Sequence, residues 1–345
     1  MEHRPLGRTG VAVSKLCLGA MMFGAWGNPD HDESIRIIHA ALDAGINFLD
    51  TADVYAQGES EEIVGKALAG GRRDDIVLAT KFTGAMGDDP NRQGASRRWI
   101  MRAAEDSLRR LNTDWIDLYQ IHRPPADTDI DEVLSALSDL VHQGKVRYIG
   151  SSTFPGSQIA EAQWVARDRN LQRFITEQPP YSILVRAVEA DVLPTCARHG
   201  MAVMSYSPLT GGRLSGRWRK DAGQQASSRA SRLPERFDLA NPFNQRKLDA
   251  VEELAQLADE TGITLIQLAI GFVLNHPAIT AALIGPRTME QLESQLAAAD
   301  VVLDDGVLDR IDEIVTPGIT INPADNSFVN PALAPAVRRR QVVSA

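Results

Sequence analysis

Residues 43–55 read DAGINFLDTADVY. An amphipathic helical pattern over 32–44 leads here into a short apolar run at 47–50, which ends on Asp50 with Tyr55 just beyond it. The same succession recurs along the chain. Strand-like apolar runs lie at 16–20, 47–50, 76–81, 116–122, 146–151, 174–178, 202–206 and 280–284. Helical patterns at 32–44, 59–68, 96–111, 131–143, 157–169 and 187–199 fall between them. Regular alternation of strand and helix implies a parallel sheet with helical crossovers. Eight such units fit a closed barrel better than an open sheet. The expected class is therefore α/β, a single (β/α)8 TIM barrel filling the chain from 1 to 345, with the barrel proper at 16–316.

Local signals agree with this division. Ser60, Glu61 and Glu62 place a hydroxyl and negative charge near a helix start. Gly144, Gly200 and Gly262 each follow a helical pattern, where a left-handed residue is useful. Segment 4–15 reads as a hairpin turning at Arg8, Thr9 and Gly10, expected to cover the bottom of the barrel. Segment 211–245 is rich in Arg, Ser, Gly and Pro and is long for a connection, hence functional or disordered. The tail, 317–345, has several prolines and no period, and is expected on the surface.

Composition narrows the partners. The net charge of −9 argues against nucleic acid, which needs a clustered basic surface. It leaves room for a small phosphorylated cofactor held by a few cations and backbone amides. Cys17 and Cys196 sit in apolar runs and read as core thiols, with no disulfide or zinc spacing and no metal expected. No apolar run approaches the ~20 residues of a membrane span, and residues 1–10 lack the apolar core of a signal peptide. A cytoplasmic enzyme without a membrane partner is expected; a homo-oligomer is compatible with the sequence.

In a (β/α)8 barrel the active site lies at the carboxyl ends of the strands. The second run ends at Asp50, the third at Lys81 and the fourth at His122. The fifth leads into Ser151, Ser152 and Thr153, the sixth ends at Gln178, the seventh at Tyr206, and the eighth leads into Gly285, Pro286 and Arg287. A partly desolvated lysine wants a carboxylate, which Asp50 on the adjacent strand can supply. An ammonium near a phenol favours the phenolate, so the Tyr55 pKa is expected to fall from about 10. Two charges about 4 Å apart at an effective dielectric near 20 interact by roughly 4 kcal/mol. Tyr55 then serves as an acid toward a developing alkoxide, with His122 holding the substrate oxygen and sharing the proton. Each residue alone has a plainer reading: Asp50 as a helix cap, Tyr55 as packing, Lys81 as a solvated rim residue, His122 as a satisfied core histidine. Their order on successive βα units favours the joint one.

Neither G-x-G-x-x-G nor a P-loop is present. The stretch TGGRLSG at 210–216, with Arg213, Arg217, Arg219 and Lys220, reads equally as backbone wrapped on a pyrophosphate or as a flexible, solvated loop.

These residues carry a resemblance. Over roughly 4–316 the chain resembles the aldo-keto reductases: residues 43–55 are similar to the signature holding the family's aspartate and tyrosine, ATKF at 79–82 to its lysine motif, and DLYQIH at 117–122 to its histidine motif. The resemblance implies a catalytic tetrad of Asp50, Tyr55, Lys81 and His122 and reduction of a small carbonyl substrate. It implies a cofactor, NADPH/NADP+, with NADH as the alternative. Ser152 and Gln178 would hold the nicotinamide carboxamide and Tyr206 would stack on the ring. Ser207, Leu209, Gly211 and Arg217 would lie near the pyrophosphate, and Gly19 and Met22 would also contact the cofactor. Gly285, Arg287, Gln291 and Gln295 would grip the adenosine end, Arg287 taking the 2′-phosphate and so favouring NADPH. Phe23 and Trp26 would line the substrate pocket. Where the family usually has Asn after the fifth-strand serine, this chain has Thr153. The long loop and the QPPY segment at 178–181 resemble the bacterial branch related to potassium-channel β-subunits and deoxysugar reductases, which leaves a cofactor-sensing interaction module as the alternative function. A barrel hydrolase using Asp50 and His122 is a third.

Overall fold

The chain opens with an antiparallel hairpin, β1 (His3–Pro5) and β2 (Ala12–Ser14), in which Arg4 faces Val13. The turn lies in 6–11, with Gly7 and Gly10 at positive φ and the Leu6 amide donating to the Val11 carbonyl. In this computed structural model, which describes residues 1–222 and 228–328 together with Leu333 and Val337, the eight apolar runs are eight parallel strands. They are β3 (Leu16–Gly19), β4 (Phe48–Asp50), β5 (Val77–Phe82), β6 (Ile116–Ile121), β7 (Val146–Ser152), β8 (Phe174–Gln178), β9 (Ala202–Ser205) and β10 (Ala281–Ile284). Each pairs with the next, and β10 returns to β3, closing a TIM barrel.

Period-two alternation sorts the strands' side chains into two cores. Leu16, Leu18, Leu49, Leu78, Phe82, Tyr119, Ile121 and Ile149 point outward and pack with the helices. Cys17, Phe48, Ala79, Leu118, Met204, Ala281 and Leu283 fill the lower interior. Leu6 and Val13 of the hairpin are fully buried in that same interior cluster. The hairpin thus plugs the bottom of the barrel, as its position in the sequence suggests. Both cysteines are buried free thiols.

The outer layer comprises α1 (His31–Asp43), α2 (Glu59–Ala67), α3 (Arg97–Leu111), α4 (Ile130–His142), α5 (Gly156–Asp168) and α6 (Val192–His199). After β9 come α7 (Ser228–Arg232), α8 (Pro242–Glu260) and α9 (Leu265–Asn275), then α10 (Met289–Leu296) and α11 (Asp305–Ile314) beyond β10. Gly144, Gly200 and Gly262 all take positive φ at helix ends. Ser60 departs from its expected cap: its hydroxyl donates to the Ala20 carbonyl at 2.8 Å and meets the Thr51 hydroxyl at 2.9 Å.

Two expectations are corrected. The connection after β9 is shorter than 211–245, because α8 starts at Pro242: the Asn241 side chain accepts from the Phe243 amide and proline occupies the first turn, a helix start hidden in a polar stretch. The tail is not merely superficial as far as it is described. The Arg186 amide donates to the Ile319 carbonyl, the Ile321 amide to the Leu184 carbonyl, and the buried Asp325 pairs with Lys247 at 2.7 Å. These polar contacts anchor a segment that lacks hydrophobic periodicity. Residues 223–227 of the loop and most of the tail past 328 lie outside the described residues.

Gly150, at an irregularity in the β7–β8 register, faces the crowded interior. A Cβ there would meet Thr176 Oγ1 at 2.0 Å, with Gln120 Cγ and Leu118 Cδ1 at 3.3 Å. Gly150→Ala is expected to cost about 1–3 kcal/mol through overpacking, and Thr176→Ala in the same chain is expected to restore part of that loss. Chemical denaturation of the three variants checks this; an additive double mutant would contradict it.

Candidate active site

The register brings the polar strand ends together. Asp50 pairs with Ala79, Lys81 with Gln120, and Ser152 with Gln178 across neighbouring strands. Lys81 is fully buried and its Nζ donates to Asp50 Oδ2 at 2.5 Å, the Thr51 carbonyl at 2.8 Å and Tyr55 Oη at 3.2 Å. All three ammonium donors are thereby used. The other Asp50 oxygen accepts from Gln120 Nε2 at 3.1 Å and Gln178 Nε2 at 3.0 Å. Tyr55 stands edge-on to His122, ring centroids 5.7 Å apart, and 6.1 Å from the Trp26 ring. Asp50, Tyr55, Lys81 and His122 therefore converge on one mouth.

The loops above the strands are held in unusual backbone conformations. Ala56, Gln57, Thr83, Thr153, Ser207 and Thr210 all have positive φ without being glycine, a state costing of order 1 kcal/mol or more each that packing must offset. They follow β4, β5, β7 and β9, so the strain gathers at one end of the barrel.

Electrostatics correct one expectation. Burial pushes the Tyr55 phenol up, and the Lys81 ammonium offsets only part of that shift. The phenol is held protonated rather than made more acidic at rest, because desolvation penalises phenolate more than one already-paired ammonium favours it. Burial works against the Lys81 ammonium, but Asp50 and Tyr55 outweigh it and hold its pKa above the ordinary lysine value. Burial, helped by Lys81 and Arg123, pushes the His122 imidazole well below its usual range, so it is uncharged at neutral pH.

The remaining predicted residues divide. Ser152 and Gln178 lie buried at the ends of β7 and β8, the serine hydroxyl donating to the Gln178 carbonyl at 2.9 Å. Tyr206 follows β9, and its Oη is buried without a partner among the described residues. Gly285 and Arg287 follow β10; the Arg287 amide donates to Gln291 Oε1 at 2.9 Å and its carbonyl accepts from Asn28 Nδ2 at 2.9 Å. Gln291 is thus also a brace for its own loop, and Gln295 is buried beneath it. Gly19 ends β3 beside Asp50. Ser207, Leu209 and Gly211 form the turn after Tyr206, continued by the 3-10 stretch Thr210–Ser215.

Several assignments move. Phe23 is fully buried in the core between barrel and helices rather than lining the mouth. Its amide donates to the Ala20 carbonyl in a tight turn ended by Gly24 at positive φ. Met22 is 7% exposed and turned toward Gly27, and it is Met21 whose sulfur meets Arg229 at 4.0 Å. Of the expected basic cluster, Arg213 is fully buried and stacks on Trp218 at 4.1 Å. Arg219 and Lys220 pair with Glu252 and Asp249. Arg217 is exposed, with Nε 3.5 Å from Ser215 Oγ. The guanidiniums that face the mouth belong to Arg229, Arg232 and Arg236 instead. With Ser207, Thr210 and Gly211, Arg229 and Arg236 line a narrow cleft.

Three further residues carry contacts to which the motifs assign no role. Gln120 braces Asp50, as above. Arg123 donates to Thr153 Oγ1 at 2.9 Å and to the His122 carbonyl at 2.7 Å, so Thr153 anchors the loop beside the imidazole. Glu177 is fully buried and accepts from Ser151 Oγ at 2.5 Å and the Phe154 amide at 3.1 Å. A carboxylate just before the strand-end glutamine is visible in the sequence, but Glu177 alternates with the inward Thr176 and Gln178 and so faces the helices, and its partner Ser151 lies 26 residues away.

The match to known proteins decides what this mouth belongs to. Residues 15–316 match the model of the Aldo/keto reductase family. The chain belongs to that family. The chain is 40% identical over 91% of its length to an uncharacterized oxidoreductase of Bacillus subtilis, covering 96% of that protein. It is 37% identical to a probable voltage-gated potassium channel subunit beta of Arabidopsis thaliana, with 91% and 97% of the two chains covered. It is 33% identical to the versiconal hemiacetal acetate reductase of Aspergillus parasiticus, with 92% and 98% covered. The family and these relatives make it an oxidoreductase.

Two outcomes test the site's energetics. Lys81→Met strands the Asp50 carboxylate and Asp50→Asn strands the ammonium, and each is expected to cost about 3–5 kcal/mol. The double variant is expected to be more stable than either single one, measured by denaturation; strict additivity would dissolve the pair. Burial pushes the Glu177 carboxyl up to about 7 from an ordinary 4.5, against the hydrogen bonds from Ser151 and Phe154. Its stabilising effect is full below about pH 4.5 and is lost as pH rises through about 7. Relative to Glu177→Gln, the wild type is expected to lose up to about 3 kcal/mol between pH 4.5 and 8; parallel stability curves would refute this.

Proposed function

We propose that this reductase converts an aldehyde or ketone to an alcohol using NADPH, with Tyr55 as the proton donor, and that the whole chain 1–345 serves as one catalytic domain. The observation that carries the reading is the Lys81 ammonium within hydrogen-bonding reach of both Tyr55 Oη and Asp50 Oδ2.

The residues at the mouth fit a dinucleotide. Tyr206 Oη, without a partner among the described residues, and the ends of β7 and β8, with Ser152 and Gln178, suit a ring bearing a carboxamide. Arg229 is pushed below the ordinary arginine value by burial and by repulsion from Arg232 and Arg236. No carboxylate pairs with it among the described residues, so an anion in the Ser207–Gly211 cleft would relieve it. Arg287 beyond β10 supplies a cation for a further phosphate in this reading, which favours NADPH over NADH. When bound, the cofactor supplies a hydride to the carbonyl carbon.

The chain's own residues do the rest. Tyr55 O–H and the uncharged His122 ring can both donate to the carbonyl oxygen, orienting it over the phenol. As negative charge grows on that oxygen, Tyr55 releases its proton to it. The phenolate left behind faces the Lys81 ammonium 3.2 Å away, so the lysine acts when the proton moves rather than at rest. Asp50 holds the ammonium with both its oxygens bound inside the barrel, which leaves no free carboxylate for hydrolytic attack. The likeness to the plant channel subunit supports a second reading, a cofactor-sensing interaction module with secondary reductase activity; a partner bound in a redox-dependent way, with negligible turnover, would favour it.

Tyr55→Phe is expected to lower kcat for small aldehydes about 10²-fold or more while leaving NADPH affinity, read by protein fluorescence quenching, near wild type. Undiminished turnover would remove Tyr55 from its role, and no NADPH binding by the wild type would overturn the reductase reading.

A further inference from the structure

The chain is acidic overall, yet guanidiniums gather over the barrel mouth on α7 and the turn after it. Arg229 and Arg236 line the cleft with Ser207 and Gly211 and are accounted for by the dinucleotide. Arg232 is not. It is exposed, and its guanidinium carbon lies 4.6 Å from the centre of the Trp26 ring. That ring in turn stands 6.1 Å from Tyr55. Arg232, Trp26 and Tyr55 therefore form a short file running from solvent to the proposed proton donor.

The turn that carries the indole is held by backbone hydrogen bonds. The Ala25 amide donates to Glu59 Oε2 at 2.7 Å and the Gly24 amide to the Asn28 carbonyl at 2.8 Å. Glu59 itself is also engaged by His31 at 2.8 Å, and no carboxylate pairs with Arg232 among the described residues. An arginine stacked on tryptophan keeps its in-plane N–H donors free at the edge of the guanidinium. Those donors lie at the entrance and suit a planar or tetrahedral oxyanion. Arg229 on the same short helix and Arg236 just after it add positive field there.

We propose that Arg232, stacked on Trp26, is a specificity-determining residue that selects carbonyl substrates carrying an anionic group, a carboxylate or phosphate, at the end remote from the reacting carbon. This rests on the reductase reading above. The reacting carbonyl lies at Tyr55 and His122, the body of the substrate passes along the indole, and the anion reaches the guanidinium. A neutral aldehyde reaches the same chemistry without that anchor.

The test compares 4-carboxybenzaldehyde, its methyl ester and 4-formylphenyl phosphate in the wild type, Arg232→Gln and Arg232→Lys, using the full chain with NADPH. Wild-type kcat/KM for the two anions is expected to exceed that for the ester by about two- to fivefold, mainly through KM, and the advantage is expected to shrink with added salt. In Arg232→Gln the ratio of anion to ester is expected to fall to about one, with NADPH affinity retained; Arg232→Lys is expected to keep part of the preference. Preference for only one of the two anions identifies the class. An anion-to-ester ratio unchanged in Arg232→Gln overturns the proposal, as does a wild type with no preference. If none of the aldehydes is turned over, the reductase reading has failed instead. Calorimetric binding of 4-carboxybenzaldehyde and its ester then decides Arg232 alone: tighter binding of the anion that is lost in Arg232→Gln supports it, and equal binding of both by the wild type overturns it.

Discussion

A charged amine with no exposure to water needs a counter-charge within contact distance, and Lys81 has Asp50 at 2.5 Å. Everything at the mouth is arranged around that pair. Gln120 and Gln178 occupy the carboxylate's second oxygen, and the Thr51 carbonyl and Tyr55 hydroxyl take the remaining ammonium donors. An ion pair this deeply buried gains little net stability. Its consequence is positional: the phenol has one place to stand, beside a cation whose charge is already balanced.

The barrel makes such a pair tolerable by dividing its interior. The lower half is apolar and sealed by Leu6 and Val13 of the hairpin. The upper half carries the polar strand ends, where Asp50 of β4 is met by Lys81 of the adjacent β5 and, across the interior, by Gln120 of β6 and Gln178 of β8. Parallel strands in register place residues of equal height side by side, so an aspartate, a lysine and two glutamines from different strands share one layer. The loops above accept strained backbone at Thr153, Ser207 and Thr210.

Cations at the rim follow a different logic. Arg219 and Lys220, adjacent to the glycine turn in sequence, are neutralised by α8, and Arg213 is drawn into an aromatic cage with Trp218 and Phe237. Arg229 and Arg232, further along, stay without carboxylate partners among the described residues and lie over Met21 and Trp26. Proximity to a glycine-rich turn in sequence was therefore a poor guide to which guanidiniums face the mouth.

The sequence by itself determined the class of fold and the members of the polar layer. Strand and helix periodicities are local, and in a parallel barrel the last residue of each strand must arrive at the same end, so Asp50, Lys81, His122, Ser152, Gln178 and Tyr206 could be read as neighbours from their positions alone. Tertiary structure decided what local pattern does not encode. The protonation preference of Tyr55 came from the depth of burial, which outweighs the nearby ammonium. The brace of Gln120 on Asp50, the knot of Glu177 on the loop after β7, and the choice of Arg229 and Arg232 over Arg213 and Arg219 all depend on contacts between residues far apart in the chain. Those contacts exist only once the barrel has closed, because closure is what sets each side chain's depth, neighbours and access to water.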